Sequence, residues 1–124
     1  MATLQITVTA QMKDASGNVV GSTITATETY TGADYSCHQV TVADSTTDQQ
    51  LDLGELGSGP VRAVFKSDQD ITLEVGGSSG VDARFIPAGL AHVWCGSAAE
   101  NEFYVTNASG SSATVTVYWI EATS

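Results

Sequence analysis

Between Thr3 and Met12 the chain alternates strictly, with Leu4, Ile6, Val8, Ala10 and Met12 on one parity and Thr3, Gln5, Thr7 and Thr9 on the other. A period of two is that of a strand with one face buried. After the turn cluster Lys13–Asn18 (KDASGN), Val19–Tyr30 alternates in a more polar register. Ile24, Ala26 and Glu28 share one face, and Thr23, Thr25, Thr27 and Thr29 the other. A strand with so few apolar residues fits a sheet edge, or a surface completed by another chain. Residues 1–36 therefore read as two strands or as an arm attached to the main body.

The turn Thr31–Asp34 leads to a third strand, Cys37–Ala43, with Val40 and Val42 inward. The most clearly punctuated stretch follows, Thr46–Val75 (TTDQQLDLGELGSGPVRAVFKSDQDITLEV). After a loop at Asp44–Asp48 it predicts strands at Gln50–Leu53, Val61–Lys66 and Ile71–Val75, with turns at Gly57–Pro60 and Ser67–Asp70. Val61, Ala63 and Phe65 lie opposite Val64, a nearly continuous apolar run that implies cover on both faces. Ile71, Leu73 and Val75 alternate with Thr72 and Glu74, giving one buried and one wet face. Four more strands are expected at Val81–Ile86, Leu90–Cys95, Asn101–Asn107 and Ala113–Glu121. In the last, Val115, Val117 and Trp119 oppose Thr116, Tyr118 and Ile120, so Tyr118 and Trp119 cannot both be core. The one helical candidate, Ser97–Glu102, is too short. Eight to ten short strands about ten residues apart predict an all-β fold, an antiparallel β-sandwich or jelly roll. At 124 residues, 1–124 makes one domain.

Charge narrows the function. Fourteen acidic residues against four basic ones give −10. Without a basic patch the chain lacks the means to neutralise phosphates, so neither nucleic acid nor an anionic membrane is an expected partner. No apolar run approaches the roughly 20 residues of a membrane span. The first residues, MATLQITVTAQMKD, alternate and have no basic leader region, so synthesis in the cytoplasm is expected. In a reducing compartment Cys37 and Cys95 are expected to be small buried thiols; a disulfide would require their strands to be neighbours.

Candidate chemistry is sparse. Gly76-Gly77-Ser78-Ser79-Gly80 matches the G-x-S-x-G string of serine hydrolases, but a strand follows where the elbow needs a helix. It reads as a hairpin turn. Cys37, His38, His92 and Cys95 are zinc-compatible donors, yet neighbours in a strand point to opposite faces and so do residues three apart. No metal site is assigned. Asp68 with Asp70, and Glu100 with Glu102, could supply paired carboxylates for glycoside hydrolysis or Ca²⁺ binding, but both pairs sit in predicted turns and read as solvated. Exposed aromatics at Tyr30, Tyr35 or Trp94 would suit sugar stacking. No catalytic or cofactor-binding residue is assigned, and the chain is not expected to be an enzyme.

The strings VTVADSTTDQQLDLGELGSGPVRAVFKSDQDITLEVGG and IPAGLAHVWCGSAAENEFYVTNASGSSATVTVYWIEA resemble a group of small tailed-phage virion proteins, of the capsid decoration (cement) type. The resemblance spans Val40–Ala122 and rests on strand and turn patterns, not on a catalytic signature. It implies a jelly-roll-like virion structural protein, commonly a homotrimer, with the major capsid protein lattice as partner and the capsid surface as location. The alternative is a carbohydrate- or receptor-binding β-sandwich of a tail or head fibre.

Overall fold

The computed structural model describes residues 2–54, 56, 58–77 and 82–122. Among them are ten strands and no helix: β1 (Ala2–Lys13), β2 (Val19–Gly32), β3 (Tyr35–Val42), β4 (Thr46–Gln50), β5 (Arg62–Ser67), β6 (Ile71–Val75), β7 (Ala83–Ile86), β8 (Ala91–Cys95), β9 (Phe103–Asn107) and β10 (Ala113–Ile120). β1 and β2 form a separate antiparallel ribbon. The other eight make two four-stranded antiparallel sheets, ordered β3-β10-β5-β8 and β4-β9-β6-β7. The protein is an antiparallel β-sandwich carrying a two-stranded arm.

Within the sandwich, only β6 and β7 are both consecutive in the chain and paired with each other. Every other connection from β3 to β10 passes from one sheet to the other. The three strands of Thr46–Val75 are therefore divided, with β5 in one sheet and β4 and β6 in the other. Inward side chains of both sheets form the core. Ala63, Phe65, Trp94, Val115, Val117 and Trp119 come from the first sheet, and Ile71, Leu73, Val75, Ile86, Phe103 and Val105 from the second. Four rings pin the layers together. Phe103 lies with its centroid 4.8 Å from Trp119 and 5.1 Å, edge-on, from Trp94; Phe65 meets Trp119 edge-on at 5.2 Å. Such aromatic pairs contribute about 0.5–1.5 kcal/mol each beyond the area they bury.

Most predicted strands are present with ends moved by one or two residues, and Ile71–Val75 is unchanged. The exception is Gln50–Leu53, since the strand there is Thr46–Gln50. Leu51 is buried at the strand's end, where its N–H donates to the Phe103 carbonyl at 2.8 Å. The polar TTDQQ segment makes the ladder because it lies at a sheet edge, with a bulge between Thr46 and Gln49 and positive φ at Ser45 and Asp48. Glu74 is a second correction, because it is buried where the alternation predicted a wet face. Gly57, part of the Gly57–Pro60 turn, Ser78–Gly80 of the proposed hairpin turn, and Val81, the expected start of a strand, lie outside the described residues.

Candidate interaction surface

Residues directly opposite in an antiparallel pair share a face, and this register sorts the arm completely. Leu4 pairs with Tyr30, Ile6 with Glu28, Val8 with Ala26, Ala10 with Ile24 and Met12 with Val20, which makes one face largely apolar. Thr3 pairs with Thr31, Gln5 with Thr29, Thr7 with Thr27 and Thr9 with Thr25 on the other. Hydroxyl contacts of 3.4 Å join Thr3 to Thr31 and Thr7 to Thr27 across that polar face. Beyond the Ala10–Ile24 pair the register shifts, with Gly21 at positive φ on the longer side. The tip is a turn held by Asp14, whose carboxylate accepts from the N–H groups of Ser16 and Asn18 at 2.9 and 3.0 Å. The backbone donor of Asn18, above all, holds the Asp14 carboxyl below the usual range.

The arm's base is fastened to the outer face of the β3-β10-β5-β8 sheet. Ala2, Leu4 and Ile6 are half-buried there. Arg62 donates from Nε to Glu28 Oε1 at 2.9 Å, and its guanidinium carbon lies 4.7 Å from the Tyr30 ring centroid. The Glu28 contact raises the Arg62 pKa above its ordinary value. Gly32 permits the close approach, since a Cβ there would come within 2.2 Å of the Glu121 carbonyl oxygen and 2.5 Å of Ile120 Cγ1. The expected cover on both faces of β5 is thus present in part, with Val64 half-buried beneath the arm.

Two grooves flank this contact. One, of about 470 Å³, lies between Ala2–Leu4 and Tyr35, Cys37, Tyr118 and Ile120. The other, of about 420 Å³, lies between Leu4–Thr9 and Val64, Ala91, Val93 and Tyr118. Past Thr9 the ribbon is exposed on both faces, with Met12 at 71% and Ile24 at 65% of full exposure.

The cysteines are a correction. Both thiols are exposed, because strand alternation turns His38, His92 and Trp94 inward and leaves Cys37 and Cys95 on the outer face. A Cys37–Cys95 disulfide is excluded by topology. Their strands are the two edges of one sheet with β10 and β5 between them, roughly 14 Å apart at the usual strand spacing. The bridge needs Cα atoms within about 7 Å. The four zinc-compatible residues are likewise split: His38 packs 6.3 Å from Trp119, and His92 packs 6.4 Å from Phe65. Among the described residues no group of three or more His, Cys, Asp or Glu is placed to hold a metal ion.

Three of the four paired carboxylates hold backbone N–H groups. Asp68 accepts from the Thr114 N–H, and Asp70 from the Ala88 N–H, each at 2.8 Å, so this turn ties down the starts of other segments. Glu100 Oε1 accepts from the N–H groups of Asn101 and Glu102 at 2.9 and 3.0 Å. Of the three aromatics considered for sugar stacking, Trp94 is buried and Tyr30 is covered by Arg62, which leaves Tyr35. Sequence reasoning missed two buried polar centres. Thr106 Oγ1 lies 2.9 Å from Glu74 Oε1 and 3.3 Å from Asp48 Oδ1, linking β9 to β6 and β4. Asn107, fully buried, donates from Nδ2 to the carbonyls of Val42, Ala43 and Ser111 and accepts from Ser109. An acidic or amide residue inside an apolar strand was the available signal.

No protein-family model and no curated protein matches the chain.

Proposed function

We propose that this chain is a non-enzymatic virion structural protein, a capsid decoration protein that binds the assembled phage head lattice as an oligomer and stabilises it. The observation that carries the reading is the arm: a long, exposed, amphipathic ribbon rooted on a closed sandwich. An arm of this kind makes contacts beyond its own domain, since a two-stranded ribbon in water is marginal without a partner layer. The strand order β3-β10-β5-β8 against β4-β9-β6-β7 supports a jelly-roll description, and the resemblance over Val40–Ala122 supports the virion setting. The mechanism is mass action. A module that binds the lattice and not its separated subunits shifts the equilibrium toward the lattice, and several copies joined together multiply weak contacts.

The test is to mix purified protein with capsids lacking it, then measure co-sedimentation and the temperature at which the heads rupture. Co-sedimentation and a raised rupture temperature are expected. A chain that leaves both unchanged but is retarded on polysaccharide gels would replace this reading with that of a carbohydrate-binding module.

A further inference from the structure

We infer that the distal apolar face of the arm docks on the outer face of the β3-β10-β5-β8 sheet of a second copy of this chain, beside Cys37 and Tyr118. Three observations support a second copy as the occupant.

The first is continuity. At its base the same ribbon face already lies on this sheet within one chain, with Leu4 and Ile6 beside the grooves that Tyr118 separates. Beyond the Ile6–Glu28 pair the face is apolar through Val8, Ala26, Ala10, Ile24, Met12 and Val20, all of them exposed, with Val8 alone still bordering the groove over Val64 and Ala91. The receiving surface is also unfinished, since Tyr35 and Tyr118 stand 59% and 46% exposed on it. Aliphatic side chains against tyrosine rings are a favourable pairing of sheet faces.

The second is charge. Lys13 and Asp14 are the only charged residues between Ala2 and Thr27, and they cancel. The whole formal charge of −10 therefore lies after the distal arm. Two copies of so acidic a body repel each other, and a distal ribbon of zero net charge can bridge them without adding to that repulsion.

The third is area. The exposed apolar face comes to roughly 400–500 Å², the size of the largest patch on a typical monomer and often a functional one. Buried against an equal area of sheet, it gives on the order of 1,000 Å² in total, about the lower bound for a specific interface. A reciprocal exchange in a dimer doubles that, and a head-to-tail arrangement gives a ring where its rotation closes.

This inference deepens the oligomeric part of the proposed function and does not need the capsid. Protein that self-associates but ignores capsids would retain it and lose the virion reading; a capsid-binding monomer would do the reverse. The first measurement is solution mass by light scattering at increasing concentration. Wild-type protein is expected above the 12.8 kDa of one chain. Met12→Asp and Ile24→Asp should return it to one chain with an unchanged far-ultraviolet circular dichroism spectrum, both side chains being exposed, while Thr27→Asp on the polar face should leave the mass unaltered.

The second measurement places the contact. Met12→Cys and Ile24→Cys, each in a Cys95→Ser background, are treated with a mild thiol oxidant. A disulfide from at least one of them to Cys37 of another copy, abolished by Cys37→Ser, is expected. A one-chain wild-type mass overturns the proposal, as does an oligomer that survives both Asp variants. Cross-links that persist without Cys37, or that form in neither variant, overturn it too.

Discussion

Arg62 Nε donates to Glu28 Oε1 at 2.9 Å, so the first residue of β5 holds the returning strand of the arm against the sandwich. The pair is the visible fastening between two bodies that share no backbone ladder. With side-chain exposures of 20% and 45%, its ionic part contributes about 1 kcal/mol or less after screening. The guanidinium over the Tyr30 ring adds about 0.5–1 kcal/mol.

Arg62→Ala should therefore loosen the arm without unfolding the domain. Amide exchange across β1 and β2 is expected to accelerate several-fold, while strands β5, β6 and β9 keep their protection. Uniform acceleration in all ten strands would mean that Arg62 supports the sandwich itself.

Gly32→Ala should act at the same joint with greater force. Its new methyl would press on the Glu121 carbonyl oxygen and the Ile120 side chain, and backbone cannot yield as a flexible side chain does. The expected outcome is an arm detached at its root. It would be read as a fall in tyrosine anisotropy or as new protease cleavage near residues 30–34, with a lowered melting temperature. An unchanged digestion pattern and melting temperature would show that the joint opens freely.

Asn107→Ala should be among the most damaging single changes outside the aromatic core. It removes a fully buried amide that satisfies carbonyls of the β3–β4 and β9–β10 turns. Leaving those carbonyls dry costs about 3 kcal/mol. Urea unfolding followed by tryptophan fluorescence should show the midpoint move at constant slope. A loss below about 1 kcal/mol would mean that water replaces the amide.

Stability should fall below neutral pH. Burial lowers the His92 pKa from its ordinary 6.5, and the nearby Arg84 charge lowers it further. The unfolded chain then binds a proton more readily than the folded one, so the contribution is complete above pH 6.5 and is lost as the pH falls through the lower folded value. His92→Gln should flatten the melting temperature between pH 7 and pH 5, and Arg84→Ala, which lets the folded-state pKa rise back toward 6.5, should make the acid loss smaller and end it at a higher pH. Identical profiles for wild type and His92→Gln would assign the acid loss to other groups.

The β class, the turns and most strands were legible in the sequence because alternation is a local signal. In β10 it set Trp119 and Tyr118 on opposite faces, and Trp119 is the one the sandwich buries. Parity alone could not say which face was the interior when both carried small or ambivalent residues. The thiols of Cys37 and Cys95 were expected inside for another reason, that a reduced cysteine is usually a small buried residue, whereas the parity that turns Val40 and Val42 inward puts His38 there and Cys37 outside. Glu74 was misplaced for a related reason. Alternation marks a side chain as outward, but burial there depends on Thr106 and Asp48, which come from distant strands. The arm was half legible. Its Thr-rich strand signalled an incomplete surface, while the registration that gives the ribbon one apolar face is set by the pairing of Ala10 with Ile24 and Met12 with Val20.

The order β3-β10-β5-β8 has a consequence for how the molecule comes into being. β10 lies between β3 and β5 in space yet follows both in the chain. A ribosome releases β3 and β5 before the strand that joins them, so through most of translation each waits with an open edge for a neighbour not yet made. Pairings this distant in sequence are slow to form, and open edges invite other nascent chains. The arm differs, because its ladder joins two strands adjacent in the chain and needs none of those late partners; inside the sandwich only β6 and β7 share that property.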